Sequence, residues 1–154
     1  MKTTKIERST GGAFEEAGAP TPAAEAMEML CVFASVGATH FDVTLKDEQS
    51  GKISFDRGRT VNGLSLTLPS LLQRADAEGL DIIIRPRGKN ETEFIQLDDL
   101  TAESVEKVRP FAFAVIETSR GNFQAWLCVT DAEETTARRL REATGADLHA
   151  SRAV

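Results

Sequence analysis

Phe111-Ala112-Phe113-Ala114-Val115-Ile116-Glu117, the turn Thr118-Ser119-Arg120-Gly121-Asn122, and Phe123-Gln124-Ala125-Trp126-Leu127-Cys128-Val129 together read as a β-hairpin. Alternation on the second strand puts Phe123, Ala125 and Leu127 on one face and Gln124 and Trp126 on the other. Upstream, Glu93 to Leu97 reads as a strand that ends abruptly in Asp98-Asp99, and a short helix over 102–108 stops before Pro110. Further back, Leu80 to Ile84 is an apolar run of strand length, predicted as a buried central strand, followed by the basic, breaker-rich loop Arg85-Pro86-Arg87-Gly88-Lys89-Asn90. Leu68, Leu71, Leu72 and Ala75 predict a helix over 67–77 that Gly79 ends. His40 to Lys46 alternates Phe41, Val43 and Leu45 with Asp42, Thr44 and Lys46. With Gly51, Ile53 and Phe55 this predicts a hairpin with one wet face.

A first helix over 22–36 starts at the cap Thr21 and at Pro22, with Met27, Leu30, Cys31 and Ala34 at helical spacing up to Gly37. At the other end, Asp131 and Glu134 have capping-box spacing, which predicts a last helix over 132–144 carrying Leu140 and ending at Gly145. Residues 1–20 hold few large apolar side chains and are expected to form a disordered arm, with residues 21–154 as one domain. Runs of strands broken by helices imply an α+β fold, a mostly antiparallel sheet with helices on one face. Strands 80–84, 93–97, 111–117 and 123–129 are expected in one sheet, its other face free for a ligand.

With 154 residues, 41% of them hydrophobic before its 11 glycines are counted, the chain has room for about one domain with a core. Its net charge of −6 excludes a polybasic binder and leaves local or metal-mediated contact as the route to a nucleic acid. Cys31 and Cys128 lie in apolar surroundings and read as buried free thiols. No apolar run is long enough to span a membrane and no signal peptide opens the chain, so a cytoplasmic protein without membrane partners is expected. His40 and His149 sit in no zinc pattern, and nucleophile-elbow and phosphate-loop motifs are absent from the sequence.

Carboxylates at a strand tip suit Mg²⁺ or Mn²⁺, which take oxygen ligands shared with substrate phosphates. Asp98 or Asp99 could instead cap the helix that begins near Thr101, and strand alternation allows at most one of them to project into a site beside Gln96. The turn 118–122 could cradle a phosphate or be an ordinary hairpin turn. Gln124 could read a base or phosphate. Trp126 could stack on a base or serve as packing, and Arg85, Arg87 and Lys89 could form a positive lip or a solvated loop.

Ile82-Ile83-Ile84-Arg85-Pro86, Phe94-Ile95-Gln96-Leu97-Asp98-Asp99-Leu100 and Glu117 through Leu127 together resemble the successive signatures of the RepB-like DNA primase family of the archaeo-eukaryotic primase superfamily. The resemblance spans about residues 28–150. It implies a core similar to the RNA-recognition motif, and a plasmid or phage replication protein that synthesises primers by metal-dependent nucleotidyl transfer. By position it implies Asp98, Asp99 and Asp147 as catalytic residues and ligands of Mg²⁺ or Mn²⁺. It implies Ser119, Arg120, Gly121 and Gln124 as nucleotide-binding, and Arg85, Arg87, Lys89 and Trp126 as nucleic-acid-binding. The implied partners are a nucleoside triphosphate, a single-stranded DNA template and a helicase or replication-initiation protein. Gln96 stands where the superfamily's first carboxylate would be, and Gln124 where many relatives have His. The chain also ends at Val154, before the family's closing segment, as a truncated core would. The alternative is a non-catalytic remnant that binds nucleic acid or a protein during replication.

Overall fold

The computed structural model describes residues 5–6, 20–89 and 92–149. In chain order the elements are β1 (Lys5–Ile6), α1 (Pro22–Ser35), β2 (Ala38–Asp47), β3 (Gly51–Arg59), α2 (Val61–Glu78), β4 (Asp81–Gly88), β5 (Thr92–Leu100), α3 (Ala102–Val108), β6 (Ala114–Ser119), β7 (Asn122–Thr130) and α4 (Thr136–Thr144). They form an α+β architecture with antiparallel sheets, as the sequence implied, divided between two compact units at about residue 89. The single sheet expected from the strand pattern is a correction. Strand β4 joins β2 and β3 in a sheet of order β3-β2-β4, while β5, β6 and β7 form another of order β1-β6-β7-β5.

Pro86 explains where β4 sits. Proline has no N–H for a ladder, so a strand containing it is confined to an edge. β4 is an edge strand, not the central one predicted, and Ile82, Ile83 and Ile84 are only half-buried. Arg85 and Arg87, placed by the sequence in a loop, belong to the strand itself. On β2, Phe41, Val43 and Leu45 are buried and α1 and α2 pack on this strand, bringing Leu30, Phe33, Leu64 and Leu68 into the core. Of the predicted wet face only Lys46 stays exposed, since Asp42 is 3% and Thr44 6% exposed. A carboxylate tolerates such burial only when fully partnered. Asp42 Oδ2 accepts from Arg87 Nε at 2.9 Å and Nη2 at 2.7 Å, and Oδ1 accepts from the Gly58 N–H at 3.1 Å. One side chain on β2 thereby ties both neighbouring strands.

Helix α1 begins as expected, with Thr21 Oγ1 accepting from the Ala24 N–H at 3.3 Å. α2 starts six residues earlier than the apolar stripe suggested, capped by Thr60, and runs through Pro69 at the cost of that residue's helical hydrogen bond. Gly79 and Gly145 close α2 and α4 in the left-handed conformation, at φ 66° and 72°, which side-chain-bearing residues rarely adopt. The predicted Asp131 cap is a correction: Asp131 itself is left-handed at φ 54°, turning the chain away from β7, and α4 starts only at Thr136. Lys5 and Ile6 of the expected arm pair with Glu117 and Ile116, and its remaining residues up to Ala19 lie outside the described residues.

In the second unit, α3 and α4 cover one sheet face. Ile95, Leu97, Leu100, Val105, Val108, Ala125, Leu127, Ala137 and Ala146 form its core, with Leu140 partly buried beside them. The opposite face is not bare as predicted: Phe94, Ile116 and Trp126 are 2%, 6% and 6% exposed, and Phe94 meets Phe113 edge-on at 6.2 Å. Of the two cysteines, Cys31 is exposed, contrary to the expected buried thiol, because α1 buries the side bearing Leu30 and Phe33 instead. Burial pushes the Cys128 thiol above its ordinary pKa. Less thiolate at a given pH means slower alkylation. Iodoacetamide at pH 7.5 should therefore modify Cys31 well before Cys128, as peptide mass mapping over time will show; faster labelling of Cys128 would contradict this packing.

Candidate metal and nucleotide site

The register between β5 and β7 runs in step from Thr92↔Thr130 to Leu97↔Ala125, then resumes at Leu100↔Phe123. One extra residue is thus inserted in β5, and Asp98 and Asp99 together face Gln124. Such a bulge interrupts the alternation of faces and re-aims side chains. Leu97 and Leu100 both point into the core at 0% exposure, so the two aspartates between them are turned outward together. The expectation that only one could project is corrected. Asp99 carries the conformational cost at φ 55°, a left-handed geometry that Asp and Asn tolerate better than most residues.

The outward face of β7 meets this bulge with amides. Gln124 Nε2 donates to Asp98 Oδ1 at 3.4 Å, and Asn122 Nδ2 donates to Asp99 Oδ1 at 2.9 Å. Trp126 Nε1 donates to Gln124 Oε1 at 2.9 Å, which settles the orientation of that amide and leaves its NH₂ toward the carboxylate. At 6% exposure the Trp126 ring has little surface for a base to stack on, and its polar handle acts inside the unit. The Asp99 N–H also donates to Asp98 Oδ1 at 3.1 Å, completing a ring of donors around the pair. Asp98 is half-buried and Asp99 exposed.

Asp147 reaches this neighbourhood through its main chain, its N–H donating to the Asp98 carbonyl at 3.0 Å. Its Oδ1 accepts from the His149 N–H at 2.9 Å in a local turn. Among the described residues no three His, Cys, Asp or Glu side chains are grouped to hold a metal ion. Any ligation of a cation at this bulge would therefore fall to the Asp98–Asp99 pair. Two carboxylates with phosphate oxygens completing the shell is a composition Mg²⁺ commonly uses, so the pair fits such an ion.

At the hairpin tip Ser119 pairs with Asn122, leaving Arg120 and Gly121 as a two-residue turn with Gly121 at φ 76°. Ser119 and Arg120 are exposed there. The Gly121 N–H donates to Glu117 Oε1 at 3.1 Å, so a carboxylate already sits where a phosphate would have to bind that amide. Arg85, Arg87 and Lys89 belong to the first unit.

Two structural residues were missed. From the sequence Asn122 reads only as part of a turn, although its place two residues before Gln124, on the same strand face, is the available signal. Arg141, on an otherwise polar helix, is 4% exposed and donates through Nε and Nη2 to the Gln96 carbonyl at 3.3 and 3.2 Å. It anchors α4 to β5 next to the bulge.

This two-unit α+β chain, with acidic residues in a strand bulge facing a polar hairpin, has the fold of a primase catalytic domain. Primase RepB' superimposes with a TM-score of 0.69 at 24% identity, over 83% of this chain and 47% of that one. The catalytic domain of primase RepB' in complex with initiator DNA gives 0.68 at 24% identity, over 82% and 71%. Mobilization protein A of Escherichia coli is 29% identical over 101 residues, 64% of this chain and 14% of its own length. The chain thus spans a small part of that curated relative and about half of the RepB' primase chain. No protein-family profile matches the chain. The resemblance to RepB-like primases read from the sequence holds at the level of the fold. No described helix is long and apolar enough to cross a membrane.

Proposed function

We propose that this chain is a primase-like nucleotidyltransferase domain of a plasmid or phage replication or mobilisation protein. The observation that carries the reading is the β5 bulge, which turns Asp98 and Asp99 outward side by side against Gln124 and Asn122. Bound Mg²⁺ or Mn²⁺ would neutralise charge developing on a nucleoside triphosphate and align it with a primer hydroxyl. The chain's own residues supply the geometry. Asp98 and Asp99 provide anionic oxygens, the two amides hold Oδ1 of each, and the Trp126 indole keeps Gln124 from turning its carbonyl toward Asp98. Asp147 is held near by its main-chain bond and would join the ligand set by reorienting its carboxylate. Ser119 and Arg120 lie exposed on the same hairpin, suited to triphosphate oxygens.

The test is template-dependent incorporation of labelled nucleotide on single-stranded DNA with Mg²⁺ or Mn²⁺. Product that disappears with EDTA is expected. Absence of metal-dependent product, in the presence of measurable DNA binding, would reject catalysis in favour of a second reading, a non-catalytic nucleic-acid- or protein-binding module. That second reading is favoured by one observation, the Glu117 carboxylate that occupies the Gly121 N–H at the hairpin tip. A helicase or replication-initiation protein is a further partner this role would call for.

A further inference from the structure

Strand β5 closes one side of its sheet, so the main-chain groups on its outer edge face no neighbouring strand. Such edges are commonly covered by a helix or loop. Here one stretch of chain supplies donors to β5 on both sides of Leu97, next to the bulge. Arg141, in the last turn of α4, donates from Nε and Nη2 to the Gln96 carbonyl, and the Asp147 N–H donates to the Asp98 carbonyl. The main chain of Arg141 governs the second of these contacts as well. Its carbonyl accepts the N–H of Gly145, the left-handed cap, and that of Ala146 at 3.1 Å. This closes α4 and turns the chain, so that Ala146 enters the core at 5% exposure and Asp147 arrives at β5. One residue thus holds β5 with its side chain and, with its carbonyl, the turn that delivers the third aspartate.

For packing alone Arg141 is a costly choice. At 4% exposure its guanidinium is taken out of water, a penalty that an apolar side chain of similar volume would not carry. Both of its bonds go to one neutral carbonyl rather than to a carboxylate. What the guanidinium adds is therefore direction, a forked grip on a single main-chain oxygen. Residues that orient metal ligands without touching the metal change its affinity by about 10- to 100-fold when they are replaced.

We infer that Arg141 is a positioning residue for the cation site: by gripping Gln96 and closing the turn before Asp147, it fixes the third carboxylate against the Asp98–Asp99 pair. This role rests on the three aspartates holding Mg²⁺ or Mn²⁺, the reading proposed for the site. The test compares the parent chain with Arg141→Met, which keeps the volume without the grip, and with Arg141→Lys, which keeps the charge without the fork. Arg139→Met, at an exposed position on the same helix, is the control. In the metal-free protein, amide exchange followed by NMR should be at least about 10-fold faster at Asp147 in Arg141→Met, while the amides of the central strand β7 keep their parent rates. Mn²⁺ titrated well below the melting temperature, with the free ion read by electron paramagnetic resonance, should bind Arg141→Met about 10- to 100-fold more weakly. Arg141→Lys should fall between, and the control should match the parent. Parent-like Mn²⁺ affinity or parent-like Asp147 exchange in Arg141→Met overturns the positioning role. So does faster exchange throughout β7, the mark of a general loss of packing, and so does full recovery in Arg141→Lys, which would make charge alone sufficient. A parent chain that binds no Mn²⁺ rejects instead the metal reading of the site, and this role falls with it.

Discussion

Asp98→Asn should abolish the Mn²⁺-dependent rise in melting temperature and lower nucleotide incorporation by about 10³-fold or more, the consequence of losing several kcal/mol of charge stabilisation. An ion present at 100 times its Kd and bound only to the folded state stabilises it by about 2.7 kcal/mol, roughly 5–10 °C for a chain of this length. Asn keeps the shape and an oxygen for the Gln124 amide and the Asp99 N–H. What it removes is the negative charge. Without metal the variant should melt at or slightly above the parent, because replacing one of two adjacent carboxylates relieves like-charge repulsion. Asp99→Asn should act in the same direction, since Asn also accepts the left-handed backbone at that position. An undiminished Mn²⁺ shift in Asp98→Asn, measured by differential scanning fluorimetry, would remove the metal reading.

Leu97→Ala should destabilise the protein by about 3–5 kcal/mol, because truncating a fully buried leucine loses its transfer energy and leaves a cavity. Leu97 is 0% exposed and packed in the cluster with Ile95, Leu100, Val105, Ala125, Leu127 and Ala137. The melting temperature should fall on the order of 10 °C. Leu140→Ala, on the rim of the same cluster, should cost less, about 2 kcal/mol, because its site is already partly open to water. Denaturant titration separates the two. Equal losses would mean that α4 packs more deeply than its exposed flank allows. Since Leu97 immediately precedes the bulge, the larger cavity should also loosen the aspartates and weaken Mn²⁺ binding beyond the stability loss.

The α+β class and most elements follow from local pattern. Thr21 with Pro22, the αL glycines Gly79 and Gly145, and the alternation through Phe123 to Val129 each act within a few residues of themselves, so they can be read without a partner. The run Phe94 to Leu100 already marked the strand and its acidic end. α2 was legible only in part, since Pro69 masks a helix that continues through it at the cost of one hydrogen bond.

Which strands share a sheet is a different kind of information. Ile82 to Ile84 reads as a buried central strand, yet the ring of Pro86 leaves β4 at the edge of another sheet, a choice made by pairing between distant segments. The burial of Asp42 could not be read from its polar neighbours because its partners, Arg87 and Gly58, lie 45 and 16 residues away. The site divides in the same way. Its residue types, Asp98, Asp99 and Gln124, stand plainly in the sequence. That both aspartates face outward depends on the register slip between Leu97 and Leu100, and that Trp126 serves Gln124 depends on how the indole is packed. Local chemistry determined the elements and the reactive groups; only tertiary pairing decided their direction, because strand register and the partnering of buried polar groups are set by residues far apart in the chain.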